Sequence, residues 1–261
     1  MSEFESNCGK THCLLLVLRH ATSAEPDRVL GSETDVGLSD QGRVEAEEVA
    51  ARLSRVAPRP VAVYSSPLRR ARLTAEPIAR ALGVDLLIEN DLRERAMGDL
   101  SGRRRIEVMS DYLRVLDCWI AGDLDYTNAQ GESFRQVAER ARSVLERIAR
   151  GHLGRTVVVV THGMWIRVAL STLPDAARVA SLKDVGIGCV AVNELFFEPV
   201  EEPIGSISLR PDQSYDPSRS LDRWWVGCLN SRHYPDPDLP LEGVPCGLSP
   251  RDAPDLPTPS P

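Results

Sequence analysis

Two runs of apolar residues, "CLLLVL" at 13–18 and "TVVVV" at 156–160, contain no alternation of polar and apolar side chains. A strand with one face in water alternates, so an uninterrupted run belongs to a strand covered on both faces, as in the parallel sheet of an α/β domain. The cover is written between them. "SDQGRVEAEEVAARLSRV" from Ser39 places Val44, Val49, Leu53 and Val56 on one helical stripe, and from Ser133 the residues Phe134, Val137, Ala138, Ala141, Val144, Leu145 and Ile148 repeat at helical spacing. The pattern predicts an α/β fold, a three-layer α/β/α sandwich around a mostly parallel central sheet.

Local signals fill in the order of elements. "VAVY" at 61–64 reads as a strand, followed by a helix with Ser66 as N-cap, Pro67 in its first turn, Gly83 as its stop and Pro77 as a kink or division. "VDLLIE" predicts a short strand. Residues 93–130 are irregular and Arg-rich, with a helix around "IEVMSDYLRVLDCWIAG". Ser133 and Gln136 form a capping box for the next helix, which Gly151 ends. "THGMWIRVALSTL" follows the valine strand, and "CVAVNELFFE" at 189–198 is a further strand.

The chain divides into an N-terminal extension (1–12), a catalytic-size domain (13–198), an extension packed on it through Trp224 and Trp225 (199–234) and a mobile tail (235–261). Nine of the nineteen prolines fall in the last 27 residues, a composition that sustains neither a helix nor a central strand. A formal net charge of −7 argues against general binding to nucleic acid or an acidic membrane, so any anion must be held by a local cluster. No apolar run approaches the roughly 18 residues of a membrane span, and the acidic start lacks the order of a signal peptide, so a cytoplasmic location is expected. The six cysteines show no CxxC and no framework spacing. Cys8, His12 and Cys13 could form half of a metal site, but a second half is missing and no metal is expected. No feature of the sequence specifies an oligomeric state.

Both buried strands end in histidine, His20 and His162, at the carboxyl edge where open α/β sheets bind ligands. Either histidine alone is more often a loop residue with a satisfied hydrogen bond, and it is the matched placement of the two that points to a site. Arg19 sits at the mouth of its strand, where a planar guanidinium needs an anion such as phosphate, or an ion pair with a nearby carboxylate. Arg69 and Arg70 lie just inside the helix after "YSS", and solvation explains one of them better than both. An imidazole beside arginines disfavours its protonated form, which leaves a ring nitrogen free to attack phosphorus. The same cations stabilise charge on the transferring phosphoryl group without a metal or other cofactor.

Five segments in order, "LRHA" at 18–21, "SSPLRRARLTA" at 65–75, "LRERAMGDLSG" at 92–102, "GES" at 131–133 and "VTHGMWIR" at 160–167, resemble the histidine phosphatase superfamily, which includes cofactor-dependent phosphoglycerate mutases and many phosphatases. The resemblance covers residues 13–198 and implies a phosphoglycerate mutase-like fold and a phosphohistidine intermediate. By position His20 resembles the nucleophile, Arg19 and Arg70 the phosphate clamps, His162 the second pocket histidine and Glu94 the proton donor to the leaving oxygen. Ser23 stands where many members carry a hydroxyl near the phosphate. Without the family, Glu94 reads as one half of a surface ion pair with Arg93 or Arg95, and Arg69 as a surface residue.

Ala21 replaces the glycine commonest after the Arg-His pair, "AEP" stands where the mutases have asparagine, and the stretch from Glu94 to "GES" is short for a mutase. These departures favour water as the phosphoryl acceptor. The reading is a metal-independent phosphomonoester hydrolase for a small phosphorylated substrate. The alternatives are a cofactor-dependent phosphoglycerate mutase and a non-catalytic phosphoryl-binding protein. Arg103, Arg104 and Arg105 suit either a multiply charged substrate or a solvated basic face.

Overall fold

A computed structural model describes residues 12–173, 186–199 and 222–231. The tail at 235–261, Cys8 with most of the N-terminal extension, and most of the segment 199–234 lie outside the described residues. Six strands form one sheet: β1 (Cys13–Arg19), β2 (Ala62–Ser65), β3 (Leu86–Ile88), β4 (Thr156–Thr161), β5 (Val192–Glu198) and β6 (Arg223–Val226). Their order is β3-β2-β4-β1-β5-β6, with β3, β2, β4 and β1 parallel and β5 and β6 antiparallel additions at one side.

The two apolar runs are the central neighbours β1 and β4, and their side chains feed opposite cores by turns. Leu15, Val17, Val157 and Val159 pack with α3 (Arg105–Ile120), α4 (Phe134–Gly151) and α5 (Gly163–Ser171). Leu16, Leu18, Val158 and Val160 pack with α1 (Asp40–Leu53) and α2 (Arg69–Leu82). This two-sided burial is the three-layer sandwich, and each fully buried valine or leucine contributes about 1.5–3 kcal/mol relative to exposure. At the antiparallel side Trp224 packs on Phe197 and Trp225 stacks on Phe196, with ring centroids 4.8 and 5.2 Å apart.

Three local expectations change. Val44 is 51% exposed, because α1 turns Gly42, Ala46, Val49, Ala50 and Leu53 inward. A Cβ at Gly42 would clash with the carbonyl of Thr22, so the helix comes close to the loop after His20 on its smallest residues. Pro77 neither divides nor ends α2, which runs unbroken from Arg69 to Leu82. The interior proline costs about 3 kcal/mol, and burial of Ile78 and Leu82 on the same helix offsets it. Ser66 is not the cap of α2; Leu68 holds that position without a side-chain cap bond. The expected Gly83 stop is present, left-handed at φ 66°. The capping box of Ser133 and Gln136 is present too, and α4 ends at Gly151 as expected, with His152 as the cap residue.

Candidate active site

Strand register brings the two histidines together. Arg19 pairs with Thr161 across β1 and β4, and the backbone N–H of His20 donates to the carbonyl of Thr161 at 2.9 Å. His20 and His162 are therefore adjacent one residue past the paired ends, with ring centroids 5.1 Å apart at 60°. Both are buried. Nδ1 of His20 lies 2.7 Å from the carbonyl oxygen of Ala21. A carbonyl only accepts, so Nδ1 carries the proton and Nε2 keeps its lone pair. Burial, then the charges of Arg19 and Arg70, hold the His20 imidazolium well below its usual range, against a small opposing effect of the Ala21 hydrogen bond. His162 is held down in the same direction by burial and then by Arg70, His20, Arg19 and Arg140.

Arg70 reaches this edge from the first turn of α2 with a side chain 0% exposed. Its terminal nitrogens donate to the carbonyls of Thr34 at 2.7 Å, Gly31 at 3.2 Å and Leu30 at 3.4 Å, which leaves Nε without a partner. Burial pushes its guanidinium down to about 10, against the charges of Glu94 and Asp35, so it remains cationic at neutral pH. Thr74, one helical turn after Arg70, donates to the Arg70 carbonyl at 2.8 Å and accepts the Ala21 N–H at 3.0 Å. That bond ties the helix carrying Arg70 to the loop carrying His20. Arg19 donates to the carbonyl of Ile187 at 2.7 Å, and its buried Nε has no hydrogen-bond partner among the described residues. Nδ1 of His162 is likewise buried and unpartnered. Arg19 Nε, Arg70 Nε and His162 Nδ1 are thus orphaned nitrogens on three residues that adjoin His20, the two arginines by their charge and His162 by ring contact. Leaving such groups unmade costs about 1–3 kcal/mol each, which an anion with several oxygens recovers.

Glu94 is buried, not the surface ion pair its neighbours suggest. Its carboxyl oxygens accept the N–H groups of Arg95 at 2.9 Å, Trp165 at 3.0 Å and Met164 at 3.2 Å. The cap residue of α5, His162, supplies no side-chain cap, so Glu94 serves that helix end from another segment. Arg69 is exposed, as expected. Ser23 is buried, and it lines the cavity.

A cavity of about 140 Å³ opens on this edge, lined by Arg19, His20, Ser23, Glu94 and the outer residues Arg105, Tyr112 and Arg167. Arg70 and His162 adjoin His20 at this edge, Arg70 through its charge on the imidazole and His162 through ring contact. Of the three consecutive arginines, Arg105 reaches the cavity, Arg103 is exposed, and Arg104 faces Asp27 at 3.9 Å. Sequence reasoning missed Tyr112, Arg167 and the role of Ser66, whose hydroxyl lies 2.7 Å from Nε2 of His162. Thr74 was visible only as the fourth residue after Arg70. Among the described residues no group of three or more His, Cys, Asp or Glu side chains could hold a metal. No helix there is long and apolar enough to cross a membrane.

Residues 15–204 match the model of the histidine phosphatase superfamily (branch 1), and the chain belongs to that superfamily. It is similar to a metal-independent phosphoserine phosphatase of Arabidopsis thaliana, 32% identical over 69% of this chain and 76% of the relative. It is 36% identical to phosphoglycerate mutase-like protein 4 of the same plant, over 63% of this chain and 72% of the relative. Among solved structures, a mycobacterial glucosyl-3-phosphoglycerate phosphatase with inorganic phosphate aligns at TM-score 0.61 and 26% identity, over 85% of this chain and 97% of that one. With this family and these relatives, the chain is an enzyme of the histidine phosphatase type, a phosphatase.

Proposed function

We propose that the enzyme hydrolyses small phosphomonoesters in two steps through a phosphohistidine on His20, without a metal. The observation that carries this is the Nε2 lone pair of His20, fixed by the Nδ1–Ala21 bond, on a residue that Arg19, Arg70 and His162 adjoin, each with a buried nitrogen lacking a partner. In the first step Nε2 attacks phosphorus, the ester P–O bond breaks, and the leaving oxygen takes a proton from Glu94. In the second, Glu94 accepts a proton from water, the oxygen attacks the phosphohistidine, the P–N bond breaks and inorganic phosphate leaves. Arg19, Arg70 and His162 hold the phosphoryl oxygens in both steps, and the buried Ser23 hydroxyl adds a donor at the same rim.

The proposed catalytic domain is residues 13–198, which hold every one of these groups, with β6 and its two tryptophans packed outside it. Phosphoserine and phosphoglycerate esters are the first substrates to try, since relatives carry those names. The mutase alternative has less support, because "AEP" and the short stretch after Glu94 depart from the mutase pattern. Cys13, Cys118 and Cys189 are free thiols, which supports a reducing, cytoplasmic location.

A panel of phosphomonoesters assayed with and without a bisphosphorylated primer tests the reading. Hydrolysis without primer and acid-labile labelling of the protein are expected. His20→Ala should abolish both, by at least about 10⁴-fold in kcat. Glu94→Gln should slow alkyl esters by about 10²-fold or more while sparing aryl esters, whose leaving oxygen needs no proton. Full activity of His20→Ala would overturn the proposal, and primer-dependent interconversion of phosphoglycerates would replace it by the mutase.

A further inference from the structure

The two site histidines have different neighbours at their ring nitrogens. His20 gives its Nδ1 to a carbonyl, which fixes the proton there. His162 has Nε2 at 2.7 Å from the hydroxyl of Ser66 and Nδ1 with no partner. A hydroxyl both donates and accepts, so distance alone does not orient this bond. Its surroundings do. Ser66 is fully buried, and its oxygen already accepts the N–H of Leu68 at 3.3 Å. Were it also to accept from Nε2–H, its own proton would have no acceptor, and His162 would aim a bare lone pair from Nδ1 into a site built for an anion. Both are unfavourable in a dry site. When Ser66 donates to Nε2, every group is satisfied except Nδ1–H, which then joins Arg19 Nε and Arg70 Nε as a third unpartnered donor.

We infer that Ser66 is a positioning residue that sets His162 in the Nδ1–H tautomer, opposite in function to His20, so that one ring presents a lone pair and the other a proton to the same phosphoryl group. The pairing requires the sheet. Ser65 registers with Val160 across β2 and β4, and the N–H of Ser66 donates to the carbonyl of Val160 at 3.0 Å, which brings the hydroxyl alongside the residue that follows β4. Ser66 is not among the residues that line the cavity, and its hydroxyl meets His162 instead. It acts by excluding the tautomer that would repel phosphoryl oxygens. The inference rests on the reading of His20 and His162 as a phosphoryl-transfer site.

The test is nitrogen-15 NMR of the full chain with labelled histidine, His162 being assigned by its loss in His162→Gln. Expected is a neutral ring with the proton on Nδ1, an Nδ1 resonance that moves on addition of inorganic phosphate, and mixed tautomers in Ser66→Ala. The same variant should lose about tenfold in kcat/KM and in inhibition by inorganic phosphate, the order of one hydrogen bond. Ser66→Thr should restore both the tautomer and the activity. A proton on Nε2 in the unaltered enzyme, an Nδ1 indifferent to phosphate, or an unchanged tautomer in Ser66→Ala would overturn the inference. If Ser66→Ala fails to fold, the unaltered enzyme still decides. The tautomer is read on resting protein, so absence of turnover on every ester would sink the phosphatase mechanism while the NMR result stood or fell separately.

Discussion

Two buried arginine clusters lie within the same molecule and have opposite designs. Around Arg95, which is 1% exposed, the guanidinium donates to the Glu132 carbonyl at 2.7 Å, the Asn128 side chain at 2.7 Å and Thr127 at 3.3 Å, and lies over the Trp119 ring at 5.1 Å. Beside it Arg140 donates to both oxygens of Glu132, at 3.0 and 2.9 Å, and to the carbonyls of Asp91 and Arg93. Burial pushes the Glu132 carboxyl up, but the Arg140 bond and charge, the Ala96 N–H and Arg93 outweigh it and hold the group below its usual range. Around His20, by contrast, Arg19 and Arg70 each keep a buried Nε unpaired. Burial of an arginine therefore does not mark a site. Two unpaired cationic donors beside one buried histidine do, because an anion satisfies both at once.

Breaking the satisfied cluster should show mainly in stability. Arg95→Met leaves the Glu132 carbonyl and the Asn128 side-chain oxygen short of donors and should cost about 1–3 kcal/mol for each buried acceptor left unpaired, read by urea unfolding, while the folded fraction keeps its affinity for inorganic phosphate. A loss of phosphate affinity with unchanged stability would reverse the comparison. Arg19→Met should do the opposite, weakening vanadate inhibition by about 10²-fold and moving the unfolding midpoint little, since Arg19 makes one side-chain hydrogen bond, to Ile187.

The smallest effect is the pH dependence of folding. His20 and His162 are held below their ordinary value of 6.5, so in acid the unfolded chain binds protons that the folded chain refuses. Stability should be flat with respect to these groups above about pH 7 and fall as pH drops below 6.5, by up to about 1.4 kcal/mol per pH unit for each histidine. Urea unfolding between pH 7.5 and 5 checks this. The double variant His20→Gln with His162→Gln should flatten that slope, and a slope unaltered by it would assign the loss to other groups.

The difference between the clusters was only half legible in the residues. Arg19, His20, Arg70 and His162 could be read because each follows a strand or opens a helix in a recognisable motif. The Arg95 cluster lies in the irregular stretch 93–130, where neither helical nor alternating periodicity announces which charges point inward, and Glu94 there read as a surface ion pair. Ser66 shows the same limit from the other side. Its placement before Pro67 fits a helix cap, yet the bond it makes is to a histidine 96 positions away. Val44 points outward because α1 meets the loop after His20 through Gly42, which alone fits against the Thr22 carbonyl, and that contact turns Ala46, Val49 and Ala50 inward instead.

The sequence by itself determined the layers and the strand ends: continuous apolar runs belong to strands covered on both faces, here by two layers of helices, and the polar residue that ends each run sits at the sheet's edge. What the tertiary structure alone decided is which of those ends become neighbours. The parallel register of β1 with β4 puts His20 beside His162, and that of β2 with β4 puts Ser66 behind it. Hydrogen-bond partners across such distances depend on which strands pair and in which register, and a local pattern of propensities carries no record of that choice.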